Sequence, residues 1–271
     1  MKLGVSYTVF DGIELLEKSI DQIRQAVDLI QVIYQTDSWF GKKISAESLD
    51  ILHKLKASGK IDDLSIFTNF IILKNTDHPS IRSAKSFELK KRSAGLNWAK
   101  SKSCTHFMSI DVDEFYDPLE FKDAKERIIK EDISSSAVSL INYVNLPTIH
   151  RGFDSIRVPF ICKIGRPSIM QSKFFVRCDP TRGISAYGTR ELDFPTNQII
   201  MHHMETVRLD LSAKYDSTSR AIFNRSKQNE LIESISSVTG DSDYVYFNKI
   251  IFPAKEKFEL FKVENKFDIQ L

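Results

Sequence analysis

SCTHFMSIDVDEFYDP, residues 103–118, runs an apolar, strand-like segment straight into four acidic side chains, Asp111, Asp113, Glu114 and Asp117. In α/β sheets, ligands gather beyond the carboxyl ends of the strands, so carboxylates at such an end mark a candidate site. Upstream, LGVSYTVF (3–10), DLIQVIYQ (28–35) and DLSIFTNF (63–70) also read as strands. Between them, ELLEKSIDQIRQAV (14–27), the stretch from about Ala46 to Ala57, and residues 80–102 read as helices. A further helix is expected over Leu119–Lys130. Strand and helix thus alternate four times in about 130 residues, which predicts βαβ units, a mostly parallel sheet and right-handed crossovers.

The rhythm changes downstream. AVSLINYV (137–144), IRVPFICKI (156–164), KFFVRC (173–178) and NQIIMHHM (197–204) read as strands without clear helices between them. A helix is expected from about Leu209 to Asn229, and the tail FELFKVENKFDIQL (258–271) offers a last strand. No repeat, low-complexity segment or long linker divides the chain. The pattern predicts one α/β domain over 1–271, with an alternating first half (1–135) and a sheet-rich second half (136–271).

Composition sets the class. The 271 residues are 42% hydrophobic and 27% charged, as in an ordinary soluble domain. The net charge of +2 argues against nucleic acid as a partner. No apolar run approaches the length that spans a bilayer. MKLGVSYTVFDG reaches an acidic residue too early for a secretory signal. Cys104, Cys162 and Cys178 are odd in number and lack metal-site spacing, so reduced thiols and a cytoplasmic location are expected.

Alternate residues of a strand point the same way, so Asp111 and Asp113 are expected to face one point with Val112 turned inward. Left alone, these carboxylates repel one another. Two hard oxygen ligands at a strand end suit Mg²⁺ or Mn²⁺, which complete their shells from water and substrate phosphates. The plainer alternative is a solvated acidic turn. Ahead of the cluster, LKKRSAGLNWAKSK (89–102) places Lys91 on the packing face formed by Ala84, Phe87, Ala94 and Trp98, with Arg92 at its edge. A cation there needs a partner: a cluster carboxylate or ligand diphosphate oxygens. MHHMETVRLDLSAKYDS (201–217) supplies paired histidines, His202 and His203, which on a strand point to opposite faces.

These stretches together resemble nucleotide-sugar-dependent glycosyltransferases of the GT-A fold. The likeness is to a bacterial, family-2-like group with a K-R-x-x-x-L…THF…D-x-DEF pattern, matched here by Lys91-Arg92, Thr105-His106-Phe107 and Asp111–Phe115. The resemblance implies a nucleotide-binding first half and an acceptor-binding second half. It also implies transfer of a sugar from a nucleoside-diphosphate sugar, in the first instance a UDP-sugar, to a hydroxyl of a glycan or lipid-linked acceptor in surface-polysaccharide synthesis. Asp111, Asp113 and His203 would be the metal ligands, with His202 a lesser candidate, and the metal Mn²⁺ or Mg²⁺. Arg92 and Lys214 would neutralise the diphosphate, with Lys91, Arg182 and Arg208 as further cations for it. Tyr7, Val9, Asp11, Gln35, Asp37 and Val112 would surround the nucleotide.

CDPTRGISAYGTRELDFP (178–195) reads as a polar loop, in which Asp193 or Glu191 is the candidate base on the acceptor hydroxyl; Tyr143 and Asn145 are acceptor contacts by location. A lipid-linked acceptor would bring peripheral contact with the inner face of the membrane, although no basic amphipathic helix demands it. Two other classes compete. A haloacid-dehalogenase-like phosphatase would use Asp111 as nucleophile and TGDSDY (239–244) as its distal acidic loop, but Phe115 is out of pattern there. A nucleotide- or glycan-binding protein without catalysis would bind UDP with Mn²⁺ and turn nothing over.

Overall fold

The structure is a computed structural model that describes residues 1–73, 78–217, 225–248 and 255–271. The first half alternates as the sequence predicts. β1 (Leu3–Val9), β2 (Leu29–Tyr34), β3 (Asp63–Ile66) and β4 (His106–Asp111) are separated by α1 (Ile13–Ile23), α2 (Ala46–Ala57) and α3 (His78–Ser101). A two-residue β5 (Glu114–Phe115) and α4 (Pro118–Lys130) follow the acidic cluster. Then come the long hairpin β6 (Ser135–Val144) and β7 (Leu146–Lys163), and the short strands β8 (Met170–Gln171), β9 (Gly183–Ile184), β10 (Glu191–Asp193) and β11 (Ile200–His203). The chain closes with α5 (Leu211–Ser217), α6 (Arg225–Ser236), β12 (Tyr244–Asn248), β13 (Lys255–Glu259) and β14 (Phe261–Lys262).

Local chemistry sets these boundaries. Ser45 caps α2 by accepting the Ser48 N–H at 3.0 Å. Asp117 caps α4 by accepting from the amides of Leu119 and Glu120, with Pro118 as the first helical residue. One of the four acids of the cluster is therefore a helix cap.

Among the described residues, ten strands form one sheet in the order β3-β2-β1-β4-β7-β6-β11-β5, with β10 beside β6 and β14 beside β7. The first four pair in parallel. β7 then runs antiparallel to both β4 and β6, and β11 parallel to β6. The sheet is thus parallel where helices cross over it and mixed where hairpins extend it. Its largest core unites Leu3, Val5, Ile110, Val112, Phe121 and Phe160, and so draws on both halves of the chain. Close packing is visible at Gly95 of α3, where any side chain would strike Ser6 of β1.

Several expectations shift. KFFVRC is not a strand: it meets β7 through an isolated bridge between Arg157 and Cys178, in which the Arg157 N–H donates to the Arg177 carbonyl at 2.8 Å. The helix expected over 209–229 begins at Leu211 as α5; 218–224 lie outside the described residues, and α6 extends instead to Ser236. β3 stops at Ile66, and the paired part of 197–204 shrinks to Ile200–His203. The tail does reach the sheet, as β14 on β7.

Candidate active site

The carboxyl ends of β1, β2 and β4 open into a cleft of about 670 Å³, whose far wall is built by β6, β7, β11 and α5. Eight basic and eight acidic side chains line it, so the cleft is crowded with charge yet balanced overall.

Asp111 and Asp113 both reach this cleft, and different side chains hold them. Asp113 lies in the turn between β4 and β5, so strand alternation does not apply to it. Val112, between them, packs into the main core and forms part of the cleft floor. Both oxygens of Asp111 accept from Arg92 Nη2, at 3.0 and 2.8 Å. Arg182 and the Thr8 hydroxyl occupy what remains of that carboxylate. Burial alone would raise the pKa of Asp111, but Arg182 and Arg92 outweigh it and hold the carboxyl well below the usual range. Glu114 is also bound by Arg182, and its carboxyl accepts the Asp111 N–H at 3.2 Å; burial dominates there and, with nearby Asp111, pushes its pKa up.

Asp113 meets a different set. Its Oδ2 accepts from Lys214 Nζ at 2.9 Å and from Arg208 Nη2 at 2.5 Å. Its Oδ1 faces His203 Nε2 at 3.7 Å. Burial opposes ionisation here too, but Lys214 and Arg208 outweigh it and keep the carboxyl well below the usual range. Gly12, with φ of 69°, makes the Arg208 contact possible: a Cβ at that position would collide with the guanidinium.

The repulsion that the sequence assigned to a metal is thus already offset by the chain's own cations. Among the described residues, no three of His, Cys, Asp and Glu form a metal-holding group. The donor chemistry nevertheless fits a cation at one place. The Nδ1 of His203 lies 3.0 Å from Asn142 Oδ1, an acceptor, so Nδ1 carries the proton and Nε2 presents its lone pair to the Asp113 carboxylate. Two electron-rich atoms facing each other fit two ligands of a Mn²⁺ or Mg²⁺ ion whose remaining ligands are water and diphosphate.

Three arginine nitrogens around the cleft, Arg92 Nε, Arg182 Nη1 and Arg208 Nη1, are buried without an acceptor. Each such orphan costs about 1–3 kcal/mol, and Arg208 Nη1 is packed against Gly12. Lys91 is buried and donates to the Val9 carbonyl at 2.7 Å and to Gln35 Oε1 at 2.9 Å. Desolvation lowers its pKa to about 7.

Of the residues singled out from sequence, Asp11, Gln35, Lys91, Arg92, Arg182, Arg208 and Lys214 join Asp111, Val112, Asp113 and His203 along the cleft. Others lie elsewhere. Tyr7 is buried, with its hydroxyl 3.0 Å from Ser19 Oγ, and Val9 is core. Asp37 pairs with Lys43 in a loop at 2.5 Å. His202 turns to the opposite face, 2.9 Å from the Tyr143 hydroxyl, where burial lowers its pKa to about 3; neither it nor Tyr143 is among the residues lining the cleft. Asn145 donates to the Val238 carbonyl at 2.9 Å. Glu191 and Asp193 sit on β10 beside the start of β6, outside the cleft lining, and Asp193 is held by Arg157 Nε at 3.0 Å. Asp241 and Asp243 are exposed and do not line the cleft, so the phosphatase reading loses its distal acidic loop.

Sequence reasoning missed Thr8, Asn142, Asp154 and Glu205 as lining residues, and placed Glu114 in the acidic cluster without giving it a role. Asn142 did leave a signal: it is the one amide in the apolar strand AVSLINYV.

No family profile and no curated protein matches the chain. Solved structures overlap it weakly. TarS of S. aureus aligns at a TM-score of 0.36 and 13% identity, covering 52% of this chain and 22% of TarS. Ktr4p, a mannosyltransferase of S. cerevisiae, aligns at 0.32 and 10%, covering 54% and 41%. A mannose-1-phosphate geranyltransferase of Thermus thermophilus aligns at 0.33 and 10%, covering 89% and 66%. This chain spans about a third or less of the TarS chains with which it aligns. Overlaps at such scores leave the reading of the cleft to its own geometry. Among the described residues, no helix is long and apolar enough to cross a membrane.

Proposed function

We propose that this protein is a metal-dependent glycosyltransferase that moves a sugar from a nucleoside-diphosphate sugar to an acceptor hydroxyl. One observation carries the reading: Asp113 Oδ1 and His203 Nε2 face each other at 3.7 Å, while Lys214 and Arg208 converge on the other oxygen of Asp113. Asp113 and His203 would hold the metal, and Lys214, Arg208 and Arg182 would take up the charge of the departing diphosphate. The bound ion supplies Lewis-acid stabilisation of that leaving group. Charge balance supports an ion arriving with the ligand. Eight acids already match eight bases, so a bare diphosphate would add uncompensated charge, whereas a diphosphate carrying a divalent cation would not.

Asp11 and Gln35, at the ends of β1 and β2, are the nucleoside contacts in this reading, with Asp111 an anchor for the arginines beside them. The acceptor approaches from the β6–β7 side, as a glycan or lipid-linked hydroxyl. The carboxylate that removes its proton is one that lines the cleft, in place of Asp193 or Glu191. The two halves, 1–135 and 136–271, act as one domain around the cleft between them. The test is calorimetric titration with UDP with and without Mn²⁺, followed by turnover of UDP-sugars. Metal-enhanced UDP binding with sugar transfer supports the proposal. Metal-enhanced binding with no turnover across a donor and acceptor panel favours a binding protein, and UDP affinity indifferent to Mn²⁺ overturns the metal site.

A further inference from the structure

Behind His203 a polar chain runs across the sheet. β11 pairs with β6 so that His203 and Asn142 are register neighbours, side by side on the cleft face. Asn142 is buried, and its amide spans two groups: Oδ1 lies 3.0 Å from His203 Nδ1, and Nδ2 donates to Asp154 Oδ2 at 3.0 Å. Asp154, on β7, is fixed in turn by the Ile156 N–H, which its Oδ1 accepts at 3.2 Å. Arg151 Nη2 lies 3.7 Å from Asp154 Oδ2.

The order of donors along this chain is not free. An ionised carboxylate only accepts hydrogen bonds, so the amide must turn its NH₂ toward Asp154. Its carbonyl oxygen then faces His203 and accepts from Nδ1–H. A neutral imidazole with its proton on Nδ1 has its lone pair on Nε2, which is the atom that faces Asp113.

We infer that Asn142 and Asp154 form a positioning pair that fixes the His203 tautomer, so that Nε2 is presented as a ligand toward Asp113. This rests on the metal reading above for its purpose, but the tautomer itself does not depend on it. Partners of this kind orient a ligating imidazole, and losing one weakens metal binding by about 10–100-fold.

The sharpest test exchanges the two groups. D154N removes the obligatory acceptor, so the Asn142 amide is free to rotate and its NH₂ can face His203. The double variant N142D/D154N restores the order with donor and acceptor reversed. The new carboxylate at position 142 accepts both from Nδ1–H and from the amide at 154. The first readout is the imidazole ¹⁵N spectrum of His203 in metal-free protein, assigned with H203Q. We expect the Nδ1–H tautomer in the wild type, a loss of that preference in D154N, and its return in the double variant. The second readout is Mn²⁺ affinity by electron paramagnetic resonance, expected to fall by about 10–100-fold in D154N and to recover in the double variant. An Nε2–H tautomer in the wild type, or a D154N spectrum identical to the wild type, overturns the inference. If the tautomer behaves as expected but H203Q binds Mn²⁺ as the wild type does, the pair still sets the tautomer and the metal reading is the part that fails.

Discussion

Asp111 and Asp113 stand two residues apart and live in different worlds. Asp111 ends a strand and is saturated: two arginines and a threonine hydroxyl consume its oxygens. Asp113 sits in a turn, and one of its oxygens faces a histidine rather than a cation of the chain. Under the same pattern of letters, one carboxylate is filled by the chain's own donors and the other keeps an oxygen turned to a histidine. A break in backbone geometry, not residue type, separates the two settings.

That contrast can be broken first on the Asp111 side. Arg92→Met leaves Asp111 with one of its two arginine partners, and removing one member of a buried pair costs up to about 3–5 kcal/mol. Urea unfolding should show that loss, while the ratio of UDP affinities with and without Mn²⁺ stays as in the wild type. A collapse of that ratio would place Asp111 in the metal site after all. On the Asp113 side, His203→Ala should do the reverse. Mn²⁺ affinity falls by at least the about 10–100-fold expected for an outer partner, while the melting temperature changes little.

Lys91 sharpens the electrostatic side of the account. Its pKa falls from 10.5 to about 7 on folding, so between those values the unfolded chain binds the extra proton. Stability should therefore rise with pH from about 7 toward 10.5, by at most about 1.4 kcal/mol per pH unit from this group. Unfolding of metal-free protein at two pH values in that window, compared with Lys91→Met, isolates the effect; an equal slope in both would exclude Lys91 as its source. Smallest is Gly12→Ala. A left-handed backbone and the collision with Arg208 should together cost more than about 1 kcal/mol and loosen Arg208 from Asp113, a small effect on UDP binding that leaves the response to Mn²⁺ in place.

Much of the first half was legible because its signals are local. Apolar periodicity fixes helices and strands over short windows, and their alternation sets the parallel sheet, although Asp117 read as a site acid and is a helix cap. The opposite facing of His202 and His203 followed from strand geometry alone. What escaped depends on distant register. Asn142 meets Asp154 through a hairpin whose pairing shifts by bulges, which no window of sequence displays. Asp193 looked like a base because it is acidic and in a polar loop, yet β10 pairs with the start of β6 and gives its carboxylate to Arg157. KFFVRC had the composition of a strand but pairs with β7 only at the single bridge between Arg157 and Cys178. The turn that parts Asp111 from Asp113 was hidden for the opposite reason: D-x-D reads equally well as continuing strand.

The most direct test of the Asp113–His203 site is Mn²⁺ titration monitored by electron paramagnetic resonance in the presence of UDP, comparing Asp113→Asn with Asp111→Asn. The site described here predicts that Asp113→Asn loses the metal-dependent gain in UDP affinity and that Asp111→Asn retains it. Equal loss in both variants, or no loss in Asp113→Asn, would contradict it.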